Sequence, residues 1–121
     1  MPASDDDPFV DLVVTATNAR ATVRRAHAAR LCDGHFPNDP LLPGAFIAAL
    51  LADLGAQLVG TSESPAPLAE VVRCVFRRRV RPDDDIVLVA TRGHRPLLVN
   101  AEVQAGGIVA AVATLRFEAS S

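Results

Sequence analysis

Several residue types are absent or scarce in this chain of 121 residues, and each absence excludes a class of protein. There is no Trp, Tyr or Lys, so the core must be filled mainly by Ala, Val, Leu, Ile and five Phe. The two cysteines, Cys32 and Cys74, are too few for a disulfide scaffold. We therefore expect free thiols in a reducing compartment.

Positive charge is not in excess, because the formal net charge is −2 and every basic residue is Arg. A basic domain is the usual footprint of nucleic-acid binding, so no nucleic-acid partner is predicted. The longest apolar run, residues 45–52, is far shorter than the roughly 20 residues that cross a membrane. Residues 1–8 carry three acids and lack the apolar run of a signal peptide. The sequence predicts a cytoplasmic protein with no membrane partner.

The length suits one domain, which we predict over residues 9–119 behind an acidic flexible leader at residues 1–8. Alternating residues predict a first strand at residues 9–16. Residues 21–28 tolerate a helix, but their β-branched residues and their position before a proline-rich loop favour a second strand. The loop itself is rich in Gly, Pro, Asn and Asp.

The middle of the chain predicts one long helix over residues 45–59, with Pro43 suited to its start and Gly60 to its end. This segment is apolar on nearly all sides, so the helix must be buried. Four further segments read as strands, at residues 70–80, 86–92, 97–105 and 108–118. Because a sheet with one apolar face needs a cover, we predict an α+β fold in which an antiparallel sheet wraps around the central apolar helix.

Two stretches of the sequence resemble a known family. GHFPNDPLLPG at residues 34–44, followed by the apolar helix and by FRRRVRPDDDIVL at residues 76–88, is similar to the bacterial β-hydroxyacyl-acyl-carrier-protein dehydratases of the hotdog fold. The family loop has the form His-Phe-Pro-x-x-Pro-x-x-Pro-Gly, and this chain matches it from His35 to Gly44. The resemblance covers nearly everything from Ala21 to Glu118 and implies the hotdog fold.

The resemblance also implies a mechanism for dehydration of a β-hydroxyacyl thioester. In the family, the loop histidine removes the α-proton, which assigns the base to His35. Backbone N–H groups at the helix start polarise the thioester carbonyl, and Gly44 and Ala45 are the matching positions. The catalytic acid lies on the helix of the other subunit, fourteen residues after the histidine. That position is Ala49, which has no proton to give.

Asp53 is the nearest replacement for the missing acid. It lies one helical turn beyond Ala49, which displaces it by roughly 6 Å. Direct contact with the same substrate oxygen is therefore excluded, although a water-bridged role stays open. The simpler alternative is that Asp53 only forms a hydrogen bond with Gln57 or with a neighbouring strand and has no catalytic role. Cys32, Asp33, His35 and Asp39 lack the paired spacing of a metal site, so no metal is predicted.

A cluster of arginines follows the helix in the chain. Alternation along residues 71–81 predicts one strand face that carries Arg73, Arg77, Arg79 and Arg81. A solvated face paired with Asp83–Asp85 would explain this pattern. The functional alternative is docking of an acidic acyl carrier protein and its phosphopantetheine, because guanidinium groups bind phosphate and carboxylate in a bidentate manner. No other cofactor is predicted.

Three functions stay open at this point. The leading hypothesis is a dehydratase-type subunit for β-hydroxyacyl chains on a carrier protein, in fatty-acid or polyketide and polyene synthesis. A heterodimer is favoured over a homodimer, because a homodimer would place His35 opposite Ala49 in both sites. The second hypothesis is an acyl-thioesterase that uses Asp53 and water. The third is a noncatalytic acyl-binding or scaffolding subunit.

Overall fold

A computed structural model describes residues 7–32, 42–61 and 63–119 of the chain. Within these residues, six strands form one sheet and two helices lie among them in the chain. Their bounds are β1 Phe9–Val14, β2 Asn18–Val23, α1 Arg25–Cys32, α2 Gly44–Val59, β3 Leu68–Phe76, β4 Ile86–Arg92, β5 Leu98–Ala105 and β6 Ile108–Phe117.

The sheet has the order β1-β2-β4-β5-β6-β3, and each neighbouring pair is antiparallel. Gly106 and Gly107 close the β5–β6 hairpin with φ values of 59° and 83°, a conformation that other residues adopt only at a cost. The strands β1 and β3 lie at the two edges. No helix in the described part of the chain is long and apolar enough to cross a membrane.

The helix α2 packs on the inner face of this sheet, which curls around it. Its leucines are buried, and it contacts strands β2 to β6. Along β5, Val99, Ala101 and Val103 point toward the core, as the alternation predicts. The predicted α+β fold, with an antiparallel sheet around a central apolar helix, is confirmed.

The prediction of a strand at residues 21–28 is wrong over most of its length. The strand β2 ends at Val23, and Arg25–Cys32 forms the helix α1. Alanines and arginines dominate the second half of the predicted segment, and these residues are good helix formers. The β-branched residues that suggested a strand belong to β2 itself.

The strand predicted at residues 70–80 begins and ends earlier than expected, because β3 covers Leu68–Phe76. Beyond Phe76, the N–H groups of Arg77 and Arg78 both donate to the carbonyl of Ala110, so the regular ladder stops there. The strand also contains two register shifts, one of them between Val71 and Arg73. The strands predicted at residues 86–92, 97–105 and 108–118 agree with β4, β5 and β6 to within a residue.

Gly55 lets α2 approach the sheet closely. A Cβ on this residue would lie 2.8 Å from Cζ of Phe117, whose side chain is only 1% exposed. The substitution Gly55→Ala gains about 1 kcal/mol of helix propensity but forces the buried ring to move, which costs about 1–3 kcal/mol. We predict net destabilisation of about 1 kcal/mol in urea unfolding.

Phe117→Leu provides the control for this contact. In that background, Gly55→Ala is expected to lose most of its destabilising effect, because the ring is no longer there to clash. Equal destabilisation in both backgrounds would contradict this account of Gly55.

Candidate active site

The amino end of α2 presents backbone donors that the helix does not use. Pro43 is the N-cap and offers no side-chain cap, and the first turn contains no acidic residue. The first helical bonds run from the N–H groups of Phe46 and Ile47 to the carbonyl of Pro43. The N–H groups of Gly44 and Ala45 therefore have no acceptor within the helix. Such donors stabilise an anion or a carbonyl oxygen on which negative charge develops.

An apolar pocket of about 280 Å³ lies beside this helix end. Phe76 forms part of its wall, and the Cζ of its ring lies 3.0 Å from where a Cβ on Gly44 would be. A side chain at this position would crowd the ring, which would have to shift by a few tenths of an ångström. Two arginines also line the pocket, and the complete lining is Leu42, Gly44, Ile47, Phe76, Arg78, Arg79 and Val80. The pocket combines apolar walls with positive charge, which suits an acyl thioester on a phosphate-bearing arm.

The predicted base, His35, lies outside the described residues, as do Asp33 and Asp39. Its role therefore stays a prediction. The residues on either side are described: Cys32 ends α1, and the N–H of Leu42 donates to the carbonyl of Val80 over 2.8 Å.

Ala49 lies on an exposed face of the otherwise buried α2, together with Ala45 and Asp53. Helical residues four apart share a face, so the position of the family acid and its nearest replacement point in about the same direction. Asp53 is exposed in the single subunit, yet desolvation by the atoms around its carboxyl group raises its pKa. The imidazole of His27 acts in the opposite direction and lowers that pKa.

His27 and Arg78 are residues near the site that sequence reasoning missed. His27 belongs to α1, and interpretation of that segment as a strand concealed its position near α2. Arg78 sits beside Arg77 and Arg79 in the chain, but the alternation along residues 71–81 selected only the odd-numbered arginines and left it out. Recognition that the ladder ends at Phe76 would have revealed it.

The four arginines predicted to share one strand face do not do so. Arg73 and Arg77 line a groove of about 260 Å³ on the outer face of the sheet, whereas Arg79 lines the pocket at α2. Arg81 follows the end of β3, and its N–H donates to the carboxylate of Asp84 over 2.9 Å. The patch is split because β3 stops before Arg77.

The two outer-face arginines are available to a ligand. Within the part of the chain that the structure describes, Arg73 and Arg77 form no side-chain hydrogen bond or ion pair. The acidic run that follows them is used elsewhere, because Asp85 pairs with Arg25 over 2.6 Å. Asp85 therefore does not neutralise the arginine face, contrary to the alternative in which Asp83–Asp85 pair with it.

The cysteines and acids do not assemble a metal centre within residues 7–32, 42–61 and 63–119. Cys32 is buried and Cys74 is partly buried, and both are free. Burial raises the pKa of each thiol, which disfavours the reactive thiolate.

Apolar residues of the edge strand β3 and of the exposed face of α2 are left uncovered in the described part of the chain, and together we call them the uncovered apolar surface. Four large apolar side chains of β3 are between 42% and 51% exposed. Edge strands with exposed apolar side chains pair readily with another chain, so this surface is suited to a second subunit. Its members are Ala45 and Ala49 of α2 with Leu68, Val71, Val72 and Phe76 of β3.

Solved structures share this architecture. The dehydratase heterocomplex ApeI:P from Xenorhabdus doucetiae aligns with a TM-score of 0.70 at 16% identity, over 85% of this chain and 88% of that one. The protein smu.793 from Streptococcus mutans UA159, solved with acetyl CoA, aligns at 0.76 with 12% identity over 98% and 94%. The (R)-hydratase from A. caviae aligns at 0.63 with 17% identity over 98% and 100%. These likenesses define the class of the chain: it is a hotdog-fold protein.

Sequence comparison defines the family within that class. The model of the ApeI-like dehydratases matches residues 13–115, and the chain belongs to this family. The 3-hydroxyacyl-acyl-carrier-protein dehydratase FabZ of Caldanaerobacter subterraneus is 35% identical over 91 residues, and that of Dinoroseobacter shibae is 40% identical over 70. These matches cover 69% and 52% of this chain, and the chain spans 64% and 43% of those relatives. The resemblance inferred from the loop motif is confirmed.

The raised pKa of Asp53 predicts a pH-dependent effect on stability. Because the pKa in the folded chain lies above the ordinary value of 3.8, folding disfavours the charged carboxylate. The penalty is fully present above the folded pKa and disappears below the unfolded one. Asp53→Asn should therefore raise the free energy of unfolding at about pH 7 and leave it unchanged near pH 3.

Urea unfolding at the two pH values measures this difference. Glu118→Gln, which also removes one surface carboxylate, is the control for net charge. A gain of equal size at both pH values, or no gain at about pH 7, would contradict the desolvation of Asp53.

Proposed function

We propose that this chain is a subunit of a dehydratase that acts on β-hydroxyacyl thioesters carried by an acyl carrier protein. Membership of the ApeI-like family supports the reaction class. The observation that carries the proposal is the position of the N–H groups of Gly44 and Ala45, which the helix itself does not use, at the end of α2 where Gly44 lines an apolar pocket. We place this reaction in the cytoplasm. In our proposal it uses no metal, and its only cofactor is the phosphopantetheine of the carrier.

The proposed chemistry divides three tasks among three groups. His35 removes the α-proton, and the electron pair forms the α,β double bond as the β-hydroxyl leaves. The amino end of α2 stabilises the negative charge that develops on the thioester oxygen. An acid donates a proton to the departing hydroxyl, so the products are an enoyl thioester and water. This chain supplies the first two groups.

The third group is proposed to come from a different hotdog subunit. Ala49 occupies the position of the family acid and lies next to the uncovered apolar surface. In a homodimer, every site would contain His35 and lack an acid. In a heterodimer, one site would combine this His35 with the partner's carboxylate. The structural likeness to a protein described as a dehydratase heterocomplex supports this arrangement.

Carrier docking is assigned to the arginines, now in two groups. We assign the phosphate of phosphopantetheine to Arg78 and Arg79, because both line the α2 pocket. Arg73 and Arg77 on the outer face near the same edge would contact the acidic surface of the carrier. Arg81 takes part in the turn with Asp84, and we assign it the smallest contribution to carrier docking.

Restoration of the acid in this chain tests the proposed function. Purified Ala49→Glu should dehydrate β-hydroxyacyl-pantetheine about 10²–10⁴ times faster than the wild-type chain, because each site then contains a base and an acid. The measurement follows formation of the conjugated enoyl thioester by its absorbance. A parallel assay for free thiol detects hydrolysis, the reaction expected of the thioesterase alternative.

Ala49→Gln is the matched control, because glutamine has a similar size and no acidic proton. It should remain as slow as the wild type, and His35→Ala in the Ala49→Glu chain should abolish the gain. Full activity of the pure wild-type chain, or release of free thiol without dehydration, would contradict the proposal.

Charge reversal tests the docking assignment. In the Ala49→Glu chain, Arg78→Glu with Arg79→Glu should raise the KM for a carrier-bound substrate about tenfold and leave the KM for a short pantetheine thioester within about twofold. Arg73→Glu with Arg77→Glu tests the outer face in the same assay. The control pair Arg20→Glu with Arg95→Glu makes the same charge change at other exposed positions. An equal rise for both substrates, or no rise for either pair, would contradict docking at these arginines.

A further inference from the structure

The groove of about 260 Å³ on the outer face of the sheet, which we call the outer groove, is a site of its own. It shares no lining residue with the pocket beside α2. Along β5, Val99 and Ala101 are buried in the core, so Asn100 and Glu102 between and after them point away from α2. The polar residues that line the outer groove are Arg73, Arg77, Thr91, Asn100, Glu102 and Thr114.

The register of the sheet places polar side chains in one row across the outer groove. Paired positions on four neighbouring strands carry Thr91, Asn100, Thr114 and Arg73. Neighbouring strands lie about 4.8 Å apart, so the row is roughly 14 Å long. Because paired residues point to the same side of a sheet, these side chains face one ligand-sized space.

Most hydrogen-bond donors in this row have no acceptor within the part of the chain that the structure describes. The hydroxyl of Thr114 donates to Oδ1 of Asn100 over 3.3 Å. This bond leaves the Nδ2 donors of Asn100 without an acceptor. The guanidinium groups of Arg73 and Arg77 and the hydroxyl of Thr91 are also unbonded there. Free donors on several strands suit a ligand that is rich in acceptors.

Glu102 adds a single acceptor to the outer groove. Nε2 of Gln104 donates to its Oε2 over 3.1 Å, and within the described residues its Oε1 accepts no hydrogen bond. Glu102 lies on β5, two strands away from Arg73 on β3. Its neighbours on either side, Val89 and Val112, are apolar. A ligand therefore meets positive charge at one end of the outer groove and a carboxylate further along it.

This distribution of charge selects the chemistry of the ligand. Two guanidinium groups offer more N–H donors than a carboxylate accepts, whereas a phosphate has more acceptor oxygens and more charge. Glu102 repels an anion at its own position and binds a hydroxyl group instead. The volume lies below the roughly 300–1,000 Å³ of pockets for drug-sized ligands, so the ligand is a small molecule.

We propose that the outer groove binds a small organic phosphate that carries hydroxyl groups. Arg73 and Arg77 bind the phosphate, and the hydroxyl groups contact Asn100, Thr91 and Glu102. This inference goes beyond the proposed function and does not depend on it. One consequence does rest on that function: since Arg73 and Arg77 are also assigned to the carrier, the bound phosphate competes with carrier docking.

Titration of the full chain with glycerol 3-phosphate, followed by NMR, tests the site. The amide signals of Asn100 and Thr114 should shift and saturate. Arg73→Gln with Arg77→Gln should weaken binding at least about tenfold, because two charge-assisted contacts are lost. Arg78→Gln with Arg79→Gln is the matched control, which removes the same charge at the α2 pocket and should leave the Kd within about twofold. Absence of saturation at about 10 mM, or equal weakening by the two pairs, would overturn the inference.

Inorganic phosphate tests the hydroxyl contacts. The wild-type chain should bind it more weakly than glycerol 3-phosphate. Asn100→Ala should weaken binding of glycerol 3-phosphate about threefold and leave inorganic phosphate unchanged. Glu102→Gln should strengthen binding of inorganic phosphate, because a repulsive charge is removed. Equal affinity of the wild-type chain for the two ligands would overturn the assigned ligand class.

Free phosphopantetheine separates the outer groove from the proposed active site. The proposed function assigns its phosphate to Arg78 and Arg79, so the Arg78→Gln, Arg79→Gln variant should lose its binding and the Arg73→Gln, Arg77→Gln variant should retain it. The opposite result would assign the outer groove to the arm of the carrier and overturn the inference. If the Ala49→Glu chain fails to dehydrate, the proposed function fails, and the glycerol 3-phosphate titration still decides the role of the outer groove.

Discussion

Burial of α2 within the curled sheet is the interaction on which the rest of the structure depends. Leu51 and Leu54 are fully buried, and each side chain of this kind contributes about 1.5–3 kcal/mol. Because the sheet covers most sides of the helix, its amino end is held in one place beside Phe76, Arg78 and Arg79. The same packing leaves one face free, and Ala49 lies on that face. The fixed N–H donors of Gly44 and Ala45 and the uncovered face of α2 are thus two consequences of one buried helix.

Local patterns in the sequence were sufficient for most of the fold. The helix α2 was predictable because a polar face is nearly absent, and β4, β5 and β6 were predictable because apolar and polar residues alternate along them. Local patterns failed where distant contacts decide the structure. The end of β3 depends on hydrogen bonds to Ala110. The helix α1 was missed for a different, local reason: its alanines and arginines favour a helix, and the β-branched residues just before them were given more weight. The arginine patch was misassigned for the same reason as the end of β3.

The candidate site was predictable where a motif marks it. Gly44 and Ala45 follow from the proline-rich loop, and the loss of the acid at Ala49 follows from its spacing to His35. Arg78 carries no such mark. His27 was missed because its helix was missed.

The central claim is that one dehydration site combines His35 of this chain with a carboxylate from a different hotdog subunit. The most direct measurement is the turnover of the copurified complex with two single replacements, His35→Ala in this chain and Ala at the helix acid of the partner. The account predicts that either replacement alone abolishes formation of the enoyl thioester. Retention of turnover after either one would contradict it.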